Sequence, residues 1–236
     1  MALPKLNESP IYELKQPSTG EIKRFRPFLM REQKNMLLAN ESKDPRQMMN
    51  AILNAVQICV EDIDITKVST TDADYMFTMI RSKSVGETTT VVYKCKDCDH
   101  PNKIDINLNA IEVTGKKQSN IVKITNEVSV EMKHPTYMDM IQNQVLDNPD
   151  MYIETTYSTI VSCLDAVITN EERIAIKDES KEEIENFLNS LTADQFEKIT
   201  EYIQNIPSMK YTADFNCEKC DTHNEFKLEG MQDFFS

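Results

Sequence analysis

Two cysteine pairs with metal-ligand spacing, Cys95-x-x-Cys98 and Cys217-x-x-Cys220, are the residues whose types and spacing point to chemistry. A tight turn between two strands lets both sulfurs of a CxxC face one ion, and a structural zinc takes four such ligands in a tetrahedron at about 2.3 Å. One pair supplies only two ligands, so Cys95, Cys98, Cys217 and Cys220 are expected to close a single structural Zn²⁺ site. The pairs belong to an internal repeat, because Tyr93-Lys94-Cys95-Lys96-Asp97-Cys98-Asp99 parallels Phe215-Asn216-Cys217-Glu218-Lys219-Cys220-Asp221. In each half an aromatic residue stands two before the first cysteine and an aspartate follows the second. Asn102 or Asn224 then precedes an apolar alternation, Ile104 and Ile106 in one half and Phe226 and Leu228 in the other.

Other uses of these thiols compete. Two separate redox-active pairs are one, although neither CxxC opens a helix after a strand in thioredoxin fashion. Iron or an iron–sulfur cluster on the same four thiolates is another. A catalytic zinc would keep an open position and a general base, and four thiolates leave neither. His100 and His223 lie beside the pairs and either could replace a cysteine; with four cysteines present they read as neighbours of the ligands or as solvent-facing. His134 before Pro135 reads as a turn residue. Cys59 and Cys163 fall on apolar helix faces and read as core thiols. Three histidines without a supporting motif assemble no nucleophile-and-base set, so neither an enzyme nor a small-molecule substrate is expected.

Composition narrows the partners. A net charge of -13 repels phosphate backbones and anionic lipid. Around the cysteines Lys94, Lys96 and Lys219 are offset by Asp97, Asp99, Glu218 and Asp221, which leaves no continuous basic track for nucleic acid. No apolar run reaches the roughly 18 residues that cross a bilayer, and Met1-Ala2-Leu3-Pro4-Lys5 lacks the apolar stretch of a secretory signal. A cytosolic location is therefore expected, where thiols stay reduced and paired CxxC spacings favour metal over disulfide. Four isolated glycines open no nucleotide-binding fingerprint.

The elements that must position the cysteines follow from hydrophobic period. Residues 11 to 26 read as a β-hairpin turning at Pro17-Ser18-Thr19-Gly20. Phe28, Leu29, Met36, Leu37 and Leu38 recur at helical spacing up to about Glu41. Pro45 starts a second helix to Val60, with Met48, Met49, Ile52, Leu53, Val56 and Cys59 on one apolar stripe. Thr70 or Thr71 caps a third, carrying Tyr75, Met76, Met79 and Ile80 and ending near Gly86.

From Thr88 the period changes, and 88–94 and 103–108 read as strands flanking the first CxxC. A hairpin is expected over 121–133. Helices follow over 136–145 and 151–167, split by Asp147-Asn148-Pro149. Ser180 with Glu183, and Thr192 with Gln195, are capping boxes that start helices over 180–190 and 192–205. The acidic stretch 178–185 reads as a solvated helix start. The fold class is thus α+β, helical regions with short β-hairpins and a split four-cysteine zinc ribbon joining the middle of the chain to its C-terminus. The expected domains are an N-terminal hairpin and helical region over 1–86, the split ribbon over 87–110 and 211–236, and an inserted hairpin and helical region over 111–210.

Several short segments resemble one known family. They are Met1-Ala2-Leu3-Pro4-Lys5-Leu6, Phe25-Arg26-Pro27-Phe28-Leu29, Glu41-Ser42-Lys43-Asp44, Ile80-Arg81-Ser82-Lys83-Ser84-Val85-Gly86-Glu87 and Leu228-Glu229-Gly230-Met231-Gln232-Asp233-Phe234-Phe235. In order and placement, together with the cysteine pairs, they resemble the baseplate hub protein family of T-even-like tailed phages. The resemblance implies a late viral protein that acts in assembly of the tail baseplate hub, in the host cytoplasm or in the virion tail. Its implied partners are other baseplate hub or tail proteins, and no enzymatic site comes with the family. Two other roles remain open: an assembly chaperone for the tape-measure or another hub component, and a zinc-ribbon adaptor in transcription.

Overall fold

A computed structural model describes residues 9–115, 118–143, 145 and 152–235. The opening Met1-Ala2-Leu3-Pro4-Lys5 and the expected helix break at Asp147-Asn148-Pro149 lie outside them. The protein is of mixed α+β class, with short antiparallel sheets between helices. It divides into two compact units, one formed by residues 1–114 together with 208–236 and the other by 115–207.

The first unit begins with the expected hairpin, β1 (Tyr12–Lys15) against β2 (Ile22–Phe25). Helices α1 (Met30–Ser42) and α2 (Pro45–Cys59) follow. Lys43 ends α1 in the left-handed region at φ 54, and the Asp44 side chain caps α2 by accepting the Arg46 N–H. The α2 stripe is buried through Met49, Ile52, Leu53, Val56 and Cys59, as its spacing requires. On α1 the apolar residues do not mark the buried face, for Glu32 and Ala39 are buried while Leu37 and Leu38 are exposed.

Helix α3 (Thr70–Ser84) is capped by Ser69, one residue earlier than expected, and is buried on nearly every side. Its Asp72 reaches back to the first hairpin, accepting the backbone N–H of Ser18 and the Gln16 side-chain amide, each at 2.9 Å. A buried carboxylate is tolerated when its oxygens are hydrogen-bonded. Strands β3 (Thr88–Lys94) and β4 (Pro101–Asn107) form the next hairpin, and β5 (Glu112–Thr114) leads out of the unit.

The second unit is continuous in sequence. It contains β6 (Ile121–Lys123), β7 (Ser129–Met132), α4 (Tyr137–Gln142), α5 (Tyr152–Cys163), β8 (Leu164–Ile168), β9 (Arg173–Ala175), α6 (Lys181–Asn189) and α7 (Ala193–Gln204). Its four strands make one antiparallel sheet in sequence order. The expected helix through Val167 instead stops at Cys163, and the chain passes directly into β8, an inner strand paired with β7 and β9. A short buried apolar run has no period that separates helix from strand, so the sheet partners decide.

Both capping boxes form, Ser180 with Glu183 and Thr192 with Gln195. They set α6 and α7 so that Ile184, Leu188, Ile199 and Tyr202 meet Val130, Met132, Ile160 and Leu164 in a common core. Gly115 and Pro207 are the first and last residues of this unit. A Cβ at Gly115 would lie 2.5 Å from the Pro207 Cα, so only glycine allows the two strands of chain to pass this closely.

The chain then returns to the first unit with β10 (Ser208–Asn216), β11 (His223–Glu229) and α8 (Gly230–Phe235). Strand β10 pairs with β11 on one side and β5 on the other. The closing helix, absent from the sequence expectations, buries Met231 and Phe234.

Candidate metal centre

Each CxxC is the loop of a hairpin, and the two hairpins are built alike. Register sets Tyr93 opposite Asn102 on β3–β4 and Phe215 opposite Asn224 on β10–β11. In the first loop the Cys95 N–H donates to the His100 carbonyl at 2.9 Å and the Asp99 N–H to the Cys95 carbonyl at 3.0 Å. In the second, Cys217 donates to Thr222 at 3.0 Å and Asp221 to Cys217 at 2.9 Å. Asp99 and Asp221 close their loops at φ 54 and φ 59. Aspartate is among the few residues with a side chain that enter this left-handed region readily, which accounts for its recurrence after the second cysteine.

The hairpins bring all four sulfurs within 4.8 Å of one another, across more than a hundred residues of intervening chain. Cys95 Sγ lies 3.6 Å from Cys220 Sγ, and Cys98 Sγ lies 3.7 Å from Cys217 Sγ. Four thiolates at about 2.3 Å from one zinc are separated by roughly 3.8 Å along each tetrahedron edge. A disulfide would need about 2.05 Å. The donor set and its spacing therefore fit one tetrahedral ion, and all four cysteines are free of disulfides.

Two asparagines cross-brace the cluster. Asn102 Nδ2 donates to its own loop at the His100 carbonyl (2.9 Å) and contacts Cys217 Sγ of the other hairpin at 3.7 Å, while its Oδ1 accepts the Glu218 N–H at 3.0 Å. Asn224 makes the mirror set: the Thr222 carbonyl at 2.7 Å, Cys95 Sγ at 3.6 Å and the Lys96 N–H at 2.9 Å. Both are buried, at 2% and 1% exposure. The sequence repeat contained these asparagines but suggested no task for them. Their signal is position, since each stands four residues after the second cysteine of its pair. Beneath the loops Tyr93 packs at a tilt against Phe226 with ring centroids 5.4 Å apart and meets Phe215 edge-on at 6.1 Å, so the repeat's two aromatic positions pack together.

Hydrogen-bond donors aimed at sulfur favour thiolate. The backbone N–H groups of Asp97 and Cys98, joined by Asn224, draw the Cys95 thiol down to about 6. Burial pushes Cys217 up, but the N–H groups of Cys220 and Lys219 outweigh it and leave the thiol lowered. At Cys98 the N–H of His100 pulls downward, yet burial and three neighbouring sulfurs overcome it and carry the thiol up to about 12. Four sulfurs this close cannot all ionise without a cation among them.

The remaining candidates stay apart. His223 is exposed beside Asn216, and neither it nor His100 joins the sulfur cluster. His134 lies half-buried in the loop between β7 and α4. Burial raises Cys59 to about 11 and Cys163 to about 12, which leaves both as unreactive core thiols. No described helix is long and apolar enough to cross a membrane.

Fold and site together define an α+β protein in which a closed cluster of four cysteines joins the middle of the chain to its C-terminal hairpin. A family model described as T4 bacteriophage base plate protein matches residues 9–236, and the chain belongs to that family of T4-like phage baseplate proteins. Comparison with curated proteins and with solved structures returned no match. Family membership marks the chain as a structural component of the phage tail, with other tail proteins as its partners.

Proposed function

We propose that this chain is a structural or assembly protein of the baseplate hub, acting through protein–protein contacts, with Cys95, Cys98, Cys217 and Cys220 holding one structural Zn²⁺. The observation that carries the reading is the closed four-sulfur cluster inside a chain matched to a baseplate family over residues 9–236. A four-thiolate zinc has no open position for substrate, so its contribution is a cross-link rather than catalysis at that ion. The three-part organisation belongs to the same proposal: region 1–86, the ribbon over 87–110 and 211–236, and an insertion over 111–210 that carries a partner-specific surface. Nucleic acid, membrane and small molecules are not its partners.

Elemental analysis of the purified chain tests the metal, with one zinc per chain expected; iron, or no metal, overturns it. Mass spectrometry of purified virions beside a pull-down from infected cells tests the role. Recovery with hub proteins in finished tails supports it. Presence only in transient complexes would instead indicate a chaperone for the tape-measure or another hub component, and recovery with polymerase or DNA a transcription adaptor.

A further inference from the structure

Helix α1 is built inside out. Its inward face carries Glu32, which is 3% exposed, ion-paired with Arg26 at 3.1 Å and with Arg31, and accepts the Leu29 N–H at 2.8 Å. Its outward face carries Met30 at 73% exposure, Leu37 at 57% and Leu38 at 53%. At 3.6 residues per turn, positions 30, 34, 37, 38 and 41 form one stripe along the helix, on the side away from Glu32 and Ala39. An ordered apolar stripe in water marks a contact surface.

The two charges within that stripe select the occupant. Lys34 and Glu41 are both exposed and stand at equal distances on either side of the midpoint between Leu37 and Leu38. A two-fold axis through that midpoint sets Leu37 against the partner's Leu38 and Lys34 against the partner's Glu41, each contact made twice. Parallel pairing would face Lys34 with lysine and Glu41 with glutamate, so the pattern is self-complementary only when antiparallel. Overall charge agrees. Residues 1–60 hold nine Lys and Arg against six Asp and Glu, whereas the rest of the chain holds seventeen against thirty-three. Two copies of a strongly acidic protein therefore repel least where α1 lies in the sequence.

We infer that the outward stripe of α1 is the interface of a symmetric antiparallel dimer of this chain, with Leu37 and Leu38 at its centre and Lys34–Glu41 pairs at its two ends. A single 13-residue helix covers less than the roughly 1,200–2,000 Å² of a stable interface, so the dimer is weak, with dissociation on the order of micromolar or above. This inference does not depend on the metal.

Sedimentation equilibrium of the full chain over a wide concentration range tests it. The unaltered chain shows a monomer–dimer equilibrium, and Leu38→Glu stays monomeric. Lys34→Glu faces carboxylate with carboxylate at both ends and weakens association about tenfold, while combining it with Glu41→Lys restores the pairs and recovers the dimer. All three positions are exposed, so thermal melting confirms that the variants remain folded. A chain that is monomeric throughout overturns the inference and leaves the stripe to a different tail protein. Failure of the double variant to recover overturns the antiparallel register.

Discussion

The two units of this protein solve the same packing problem by different means. Residues 115–207 are continuous, and their core draws on one sheet and three helices, from Val130 and Met132 through Ile160 and Leu164 to Leu188, Ile199 and Tyr202. The other unit is split by that insertion and must bring 208–236 back onto a chain that left at 114. Its return is secured by strand pairing of β10 with β5, by Met209 and Phe234 buried in the core, and by the four-sulfur cluster. A discontinuous unit must close a long loop before its contacts form, and a metal ion held by the four cysteines at the far end of the returning hairpin would offset part of that entropy. The continuous unit has no comparable closure to make.

The largest expected effect breaks this contrast from the metal side. Structural zinc contributes on the order of 10–16 kcal/mol in isolated peptides, comparable with the stability of a whole domain. Cys217→Ser is expected to abolish stoichiometric zinc and open the two ribbon hairpins, exposing the chain near 99 and 216 to protease. The body of 115–207 stays resistant, as limited digestion with mass mapping of the fragments would show. If that body is digested at the same rate as the hairpins, the units do not differ in the way described. Unchanged metal content would remove the site itself.

A smaller effect tests the other side. Ile199 is fully buried in the continuous core, and Ile199→Ala is expected to cost about 2–5 kcal/mol through lost burial and the cavity left behind. Its zinc content should remain at one per chain. Thermal unfolding followed alongside metal release separates the two readouts, and loss of zinc on cavity formation at Ile199 would mean that the units are energetically one.

These contrasts were unequally legible in the sequence. The capping boxes of α6 and α7 were readable because their signal is local, two residues three positions apart whose side chains satisfy each other's backbone N–H groups. The meeting of the cysteines was readable because a repeat of loop residues implies a repeat of loop geometry. Strand β8 was hidden, since an apolar run after a helix is the same string whether it continues the helix or enters a sheet, and only β7 and β9 settle which. Helix α1 was legible only as an element, for a related reason. Its apolar spacing gave the right element, but a spacing does not say which face turns inward, and the buried pairing of Glu32 with Arg26 decides it. The asparagines showed no role in the sequence, because their sulfur contacts and the Glu218 and Lys96 N–H groups they accept lie on the other hairpin.

Those asparagines give the finest test, directed at the likeness within the ribbon. Asn102 and Asn224 each hold one loop to itself and reach one sulfur of the other loop, so their loss removes the same set of interactions from opposite sides. Residues that orient metal ligands in this way typically change affinity by about 10–100-fold when replaced. Asn102→Leu and Asn224→Leu should therefore weaken zinc binding by similar factors within that range, measured by competition with a chromophoric chelator. The loss has two parts: a contact to sulfur, and a backbone N–H on Glu218 or Lys96 left without its side-chain acceptor. Aspartate at either site still accepts that N–H but places a negative charge beside a thiolate, so Asn224→Asp should bind zinc less well than Asn224→Leu if the contact to sulfur dominates, and better if backbone bracing does. Strongly unequal effects of the two leucine variants would mean that the hairpins share a shape without sharing the work of holding the ion.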